Sequence, residues 1–239
     1  MPEPLSPETF LTSCAVDIAV RELRPDYRAL LIVVEGIDPE AASSPGDALI
    51  ARAESHARAL LADSPVDRLA HIAAWREAYR AFGAKPQRTR NSLEALTRRA
   101  EKGLPRINAL TDIYNAISVL HQIPLGGEDL DLYEGPARLV RATGDEPFDT
   151  VADGETVIEH PEPGEVVWRD DVGVTCRRWN WRQGRRTGLS ERTRAAFFIL
   201  DVLAPVTDED LTAAGDALVE ALSALGPEVR ASRRLIGTP

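Results

Sequence analysis

Two textures divide the chain near Pro124. Before it, apolar residues recur mostly at helical spacing; after it they come in short runs broken by glycine and proline. One early segment, 27–35, is different. Ala29, Leu30, Leu31, Ile32, Val33 and Val34 follow one another with no polar residue, which predicts a buried strand ending at Glu35-Gly36. Residues 47–62 are alanine-rich and predict a helix. Residues 67–82 predict a second, with Leu69, Ile72, Ala73, Tyr79 and Phe82 on one face and Gly83 and Pro86 ending it. Asn91 starts a third that runs to Lys102-Gly103. Its side chain can accept from first-turn amides, and Glu94 stands where a capping box needs it. Thr111 or Asp112 opens a fourth, which stops before Pro124.

Beyond Pro124 the runs at 137–141, 156–159, 166–169 and 172–181 predict antiparallel strands and hairpins, and 195–203 predicts another strand. Gly126-Gly127 falls between periodic segments and predicts a turn. Thr207 caps an amphipathic helix over 208–225, and the tail 230–239 reads as loose. Helices first and strands after place the chain in the α+β class. No internal repeat or low-complexity linker interrupts it. The simplest partition is an N-terminal strand-and-helix extension, 1–66, packed on a main domain with a C-terminal helix, 67–239, as one compact unit.

Composition narrows the function classes. A chain of 239 residues, 44% hydrophobic and 28% charged, can build one sizeable core. No apolar run approaches the roughly 20 residues of a membrane span, and residues 1–10 lack the basic-then-apolar order of a secretory signal. A cytoplasmic setting without membrane contact is expected. Cys14 and Cys176 are too few for a disulfide framework or a cysteine zinc site. His56, His71, His121 and His160 have no partner at metal-ligand spacing, and His121 is expected to cap or pack a helix end. With no phosphate loop, dinucleotide turn or nucleophile elbow, neither metal nor cofactor is expected.

The net charge of -10 argues against a general DNA coater. That total hides two basic stretches. Residues 76–106 hold nine basic side chains against three acidic, and 177–194 hold seven against one, with an acidic segment between. If the two meet in space they form a positive patch, largely of arginine, which suits bidentate phosphate contacts. The alternative is that opposite charges pair internally or face solvent. The second stretch opens on Cys176-Arg177-Arg178-Trp179-Asn180-Trp181-Arg182-Gln183. As a strand it would set Arg177, Trp179 and Trp181 on one face and Arg178, Asn180 and Arg182 on the other. Indole rings there would either stack a base or aminoacyl group, or form core. Asp129 and Asp131 look like paired carboxylates, but near a glycine-rich turn such residues more often bond backbone amides.

Residues 107–115, Ile-Asn-Ala-Leu-Thr-Asp-Ile-Tyr-Asn, resemble the Val-Asn-Asn-x-x-Asp-x-Thr-Asn motif of the B3/B4 tRNA-binding and editing domain of the phenylalanyl-tRNA synthetase beta subunit. In the same register, residues 124–131, Pro-Leu-Gly-Gly-Glu-Asp-Leu-Asp, fall on that family's Pro-Leu-His-Ala-Phe-Asp-Leu-Asp. Residues 75–79, 92–96, 164–167 and 178–183 resemble the freestanding branch of the family. The likeness covers roughly 69–205 and leaves no room for an aminoacylating domain. It implies a β-sandwich of unusual topology with flanking helices. It also implies trans-editing: binding an aminoacyl-tRNA and hydrolysing the ester of a mischarged amino acid. The family's motif histidine falls on Gly126, and its pocket glutamate has no clear match within 183–187, so tyrosine specificity is not carried over.

On this reading Gly126 and Gly127 let the backbone approach the ester closely, Asp129 meets the amino group, and Asn180, Asn108 and Asn115 orient substrate or water. Trp179, Trp181 and Gln183 line the substrate site, and Arg88, Arg90, Arg178, Arg182 and Arg185 hold acceptor-end phosphates. Structural alternatives stand beside it. Asn108, Asp112 and Asn115 would serve as helix caps, the glycines as a turn, and Asp129 as its brace. The competing functions are a tRNA-binding module without catalysis and a binder of free amino acids or their derivatives.

Overall fold

The computed structural model of the protein describes residues 6–38 and 46–237. The chain opens with α1 (Pro7–Ser13), β1 (Ala15–Val16), α2 (Ile18–Leu23) and β2 (Arg28–Glu35). Four helices follow: α3 (Gly46–Asp63), α4 (Ala70–Ala81), α5 (Ser92–Arg99) and α6 (Ala109–His121). Then come β3 (Leu125–Asp129), β4 (Arg138–Arg141), β5 (Phe148–Ala152), β6 (Glu155–Glu159), β7 (Val166–Arg169), β8 (Val174–Arg177), β9 (Arg182–Gln183) and β10 (Ala195–Val202). Helix α7 (Asp208–Ser223) and β11 (Arg230–Ile236) close the described chain. The fold is α+β.

Five strands form one sheet in the order β1-β4-β7-β8-β9, four form a second in the order β11-β2-β10-β3, and β5 and β6 make a separate hairpin. Alternation along β2 builds the interior. Ala29, Leu31 and Val33 share a buried cluster with Leu139, Val166 and Trp168 of the first sheet and with Phe197 and Ile199 of β10. Leu30, Ile32 and Val34 point the other way, onto Ile113 and Ile117 of α6 and Leu211, Ala214 and Leu218 of α7. A strand covered on both faces needs apolar side chains throughout, which explains the unbroken run at 29–34. The sheets thus face each other as a sandwich, with α6 and α7 on the outer face of the second sheet. Helix α3 lies against α6, and α4 feeds Trp75, Ala78 and Tyr79 into the core between the sheets.

Several elements differ from the sequence expectation. The helix expected from residue 67 begins at Ala70, because Val66–Arg68 is a separate 3-10 turn. Helix α6 starts before Thr111, since Asn108 is its cap and accepts from the Thr111 amide at 2.9 Å. At α5 only half of the expected capping box forms. Asn91 accepts from the Glu94 amide, but the Glu94 carboxylate turns to Arg76 instead of back to the cap. The reciprocal box is found at Thr207 and Asp210 on α7.

Gly126-Gly127 is not a turn but the middle of β3, paired with Ile199 and Phe198. The strand expected over 172–181 ends at Arg177, because Arg178 and Trp179 adopt positive φ of 47° and 68°. The expected two-faced alternation of Arg177, Trp179 and Trp181 is lost there. The tail read as loose forms β11 on the edge of the second sheet, and residues 238–239 lie outside the described residues. Residues of the expected N-terminal extension supply β1 to one sheet and the inner strand β2 to the other.

Candidate functional site

A cavity of about 250 Å3 lies between the two sheets at the end closed by α5 and α6. Its walls include Ser92 of α5, Tyr114 and Asn115 of α6, Gly126 and Glu128 of β3, Trp168 of β7, Cys176 of β8, the turn 179–181, Gln183 of β9, and Asp201 of β10. Strand alternation decides which parts of β3 reach it. Gly126 and Glu128 pair with Ile199 and Phe197 and share their face between the sheets. Gly127 pairs with Phe198 and faces α6, where an added Cβ would stand 2.6 Å from the Phe198 ring and 2.9 Å from that of Tyr114. Asp129 lies in the same alternation as Gly127. It accepts from the Thr193 hydroxyl at 2.6 Å and from the Asp131 amide at 3.1 Å, and it does not line the cavity.

The neighbouring glycines therefore do different things. The bond from the Asp201 amide to the Pro124 carbonyl sets the ladder phase, so Gly126 falls in a hydrogen-bonded pair with Ile199 and its amide is spent on β10. Gly126 instead leaves room for Gln183, whose amide nitrogen is 3.0 Å from where a Cβ would be. Gln183 donates to the Gly127 carbonyl at 2.9 Å and accepts from the Tyr114 hydroxyl at 3.3 Å.

The three asparagines also separate. Asn108 is a cap outside the cavity, next to Asp112, which accepts from the Ile107 amide. Asn115 sits a turn further along α6, lines the cavity and makes no side-chain hydrogen bond among the described residues. Asn180 is 7% exposed, accepts from the Tyr79 hydroxyl at 2.9 Å and donates to Asp201 at 3.3 Å. The positive φ at Arg178 and Trp179 turns Trp179 wholly into the core against Tyr27 and Trp75, while Trp181 stays at the cavity mouth, shared with a second groove. Trp179 is thus chiefly a wall.

Two side chains that were not among the expected site residues dominate the cavity's electrostatics. Asp201 accepts from the Tyr27 hydroxyl at 2.6 Å as well as from Asn180. Glu128 accepts from the hydroxyls of Tyr133 and Thr187. Burial raises each carboxyl to about 7, and those hydrogen bonds oppose the rise. Burial, with both carboxylates nearby, also pushes the Cys176 thiol well above its usual range, so this cysteine is protonated and unsuited to nucleophilic attack. Asp201 interrupts the apolar run 195–203, and a charged residue inside such a run is the sequence signal that was passed over.

A second groove of about 450 Å3 opens beside the cavity and shares Ala95 and Trp181 with it. Its walls carry Arg88, Arg90, Arg98, Arg99 and Lys102. Arg98 and Arg90 lie 3.0 Å and 3.7 Å from buried Glu94 with their side chains more than 40% exposed. The other expected phosphate ligands are engaged elsewhere. Arg185 makes a two-bond pair with Asp149 at 2.9 and 3.0 Å. Arg178 bonds Thr89, lies 3.5 Å from Glu165 and stacks 4.5 Å above the Trp181 ring. Arg182 lines the cavity but donates to the Val151 carbonyl at 2.8 Å.

The family model of the B3/4 domain matches residues 74–219. The chain belongs to the B3/4 domain family. Every residue lining the cavity of this B3/4 domain lies inside the matched span, whereas β2 and β11, half of the second sheet, lie outside it. Among solved structures, an N-terminal fragment of the phenylalanyl-tRNA synthetase beta-subunit from Pyrococcus horikoshii is 13% identical with a TM-score of 0.44. That match covers 93% of this chain and 50% of the other, so the chain spans about half the length of that fragment. No curated protein matches. Among the described residues, no helix is long and apolar enough to cross a membrane, and no three His, Cys, Asp or Glu side chains cluster as a metal site.

Proposed function

We propose that this B3/4 domain is a freestanding trans-editing factor, which binds an aminoacyl-tRNA and hydrolyses the ester of a mischarged amino acid. The observation that carries the proposal is the continuity of two unlike spaces: a small, largely apolar cavity with a few polar side chains opens directly beside a groove of five basic side chains. At about 250 Å3 the cavity is smaller than the roughly 300–1,000 Å3 of drug-sized sites, which suits one aminoacyl group. The groove suits the phosphates next to it. The resemblance of residues 107–115 and 124–131 to the synthetase editing domain supports the same partner.

An aminoacyl ester is activated, so the protein needs mainly to orient a water and the carbonyl. Asn115, with its amide unengaged, would hold water or the carbonyl oxygen beside Gln183, whose amide already bonds Gly127 and Tyr114, and Asn180 bonds Tyr79 and Asp201. Water oxygen bonds to the carbonyl carbon, the ester C–O bond breaks, and the ribose hydroxyl leaves with a proton. Trp181, at the junction of the two spaces, would stack the terminal base, and Arg88, Arg90, Arg98, Arg99 and Lys102 would hold phosphates. Gly127, Asp129, Asn108 and Arg185 serve the scaffold in this scheme, and Gly126 serves by leaving room for Gln183.

A panel of correctly and incorrectly charged tRNAs tests this directly. At least one aminoacyl-tRNA should lose its ester faster than in buffer, and Asn115→Ala should slow that loss. If none is deacylated faster than the buffer control, the hydrolase reading falls. One observation favours a second reading, a binder of free amino acids: the cavity itself is acidic. RNA binding weakens steeply with salt, so tRNA affinity that does not change with salt would favour that reading.

A further inference from the structure

The two cavity carboxyls lack what most buried acids among the described residues possess. Glu94 meets Arg76 at 2.8 Å, Glu165 meets Arg177 at 2.8 Å, and Asp170 meets Arg186 at 2.7 Å. Asp129, on the opposite face of β3, is settled by a threonine hydroxyl and an amide and does not line this cavity. Asp201 and Glu128 are 3% and 1% exposed and receive only neutral donors. Among the described residues neither forms an ion pair. An arginine was at hand: Arg182 lines the same cavity but hands its guanidinium to the Val151 carbonyl. A buried carboxylate without a counter-charge is costly.

Independent donors on the same walls await an acceptor, which the carbonyl of an aminoacyl ligand would supply beside its cation. The Ser92 hydroxyl and the Trp168 and Trp179 indole N–H groups are buried and close no well-formed hydrogen bond, with Trp168 approaching Asp201 and Trp179 approaching the Tyr27 hydroxyl. The two tryptophans are 1% and 0% exposed. Aromatic rings form much of the remaining wall, and their faces favour organic cations.

We propose that the cavity is a receptor for protonated nitrogen: Asp201 and Glu128 are the anionic partners of an amino acid's ammonium or guanidinium group, which supplies the counter-charge the chain withholds. The proposal deepens the reading above and rests on it only for taking the ligand to be an aminoacyl group. The cation has two sources, the α-amino group and a basic side chain.

Calorimetric titration of the whole protein at neutral pH with four small amides separates them. L-Argininamide carries both cations, L-leucinamide only the α-ammonium, N-acetyl-L-argininamide only the guanidinium, and N-acetyl-L-leucinamide neither. Argininamide should bind and N-acetyl-leucinamide should not. Of the two singly charged amides, the one that binds identifies the source, and binding by both shows that the cavity accepts either nitrogen. Asp201→Asn and Glu128→Gln should each weaken argininamide binding roughly tenfold or more, the scale for a buried charge losing its partner. Equal binding of argininamide and N-acetyl-leucinamide, or no binding of any charged amide, overturns the proposal without recourse to a variant. Unchanged affinity in both folded variants overturns it too. A protein that binds argininamide and deacylates no tRNA loses the hydrolase reading and keeps this one. Deacylation with no discrimination among the amides does the reverse.

Discussion

Residues 76–106 and 177–194 carry the same excess of positive charge, but the fold treats them differently. In the second stretch Arg177 is 6% exposed and locked onto Glu165 and Glu159, Arg185 holds Asp149, and Arg186 holds Asp170. These acids come from the acidic middle of the chain, folded back as β5, β6 and the ends of β7. In the first stretch one buried acid, Glu94, is shared by Arg76, Arg98 and Arg90. Arg88, Arg99 and Lys102 line the groove without an ion pair among the described residues. One stretch is therefore mainly internal ionic scaffolding and the other an open basic surface. A count of charges along the chain shows the excess of each stretch, but not which acids arrive from elsewhere to cancel it.

The contrast can be broken most forcefully at Arg177. Arg177→Ala leaves Glu165 charged and buried, and a loss of about 3–5 kcal/mol is expected in urea unfolding, the usual scale for breaking a buried pair. Wild-type stability would mean that the second stretch is not scaffolding.

The unpaired cavity acids give the next effect, through pH. Asp201 is raised to about 7 in the folded protein, so the fold binds its proton more tightly than the unfolded chain does. Its favourable contribution is full at low pH and is lost as pH rises through about 7. Asp201→Asn should therefore gain stability relative to wild type between pH 5 and pH 8, by roughly 2 kcal/mol. His71 works in the opposite direction. Burial lowers it to about 4, so its contribution is lost as pH falls below its ordinary value, but this part is common to both proteins and cancels. A pH-independent difference would show that Asp201 is not desolvated.

The groove supplies a binding test. Arg99→Glu with Lys102→Glu should weaken tRNA binding and flatten its salt dependence, the slope falling by about 0.7 for each single-strand phosphate that the variant no longer neutralises. The same slope in the variant would remove the groove from the RNA surface. The smallest effect belongs to Arg185→Ala. Its ion pair with Asp149 is half exposed on the arginine side, so about 0–1 kcal/mol of stability and no change in salt slope are expected.

Much of the framework was legible before folding. The apolar runs of β2 and β10, the helical spacing of α3 to α6, and the Asn91 and Thr207 caps announced their elements. Strand β3 was hidden because two glycines in a five-residue strand look like a turn, and β11 because its three arginines mask an edge strand. The Arg178–Trp179 turn was hidden because positive φ at two such residues is costly in isolation and persists only when the packing around it demands it. The candidate site was half legible. Asn115, Gly126, Asn180, Trp181 and Gln183 meet at the cavity, but Gly127 and Asp129 were grouped with Gly126 by adjacency, and a strand sends neighbours to opposite faces.

The sequence by itself determined the α+β class, the positions of most helices and inner strands, and the family motif, because hydrophobic period and capping chemistry are local properties. Only the tertiary structure decided which arginines are spent and which remain open, and that Glu128 and Asp201, far apart in the chain, share one cavity with no ion pair to either among the described residues. Charge pairing and desolvation depend on distances between strands and helices, and those distances exist only once the two sheets have closed on each other.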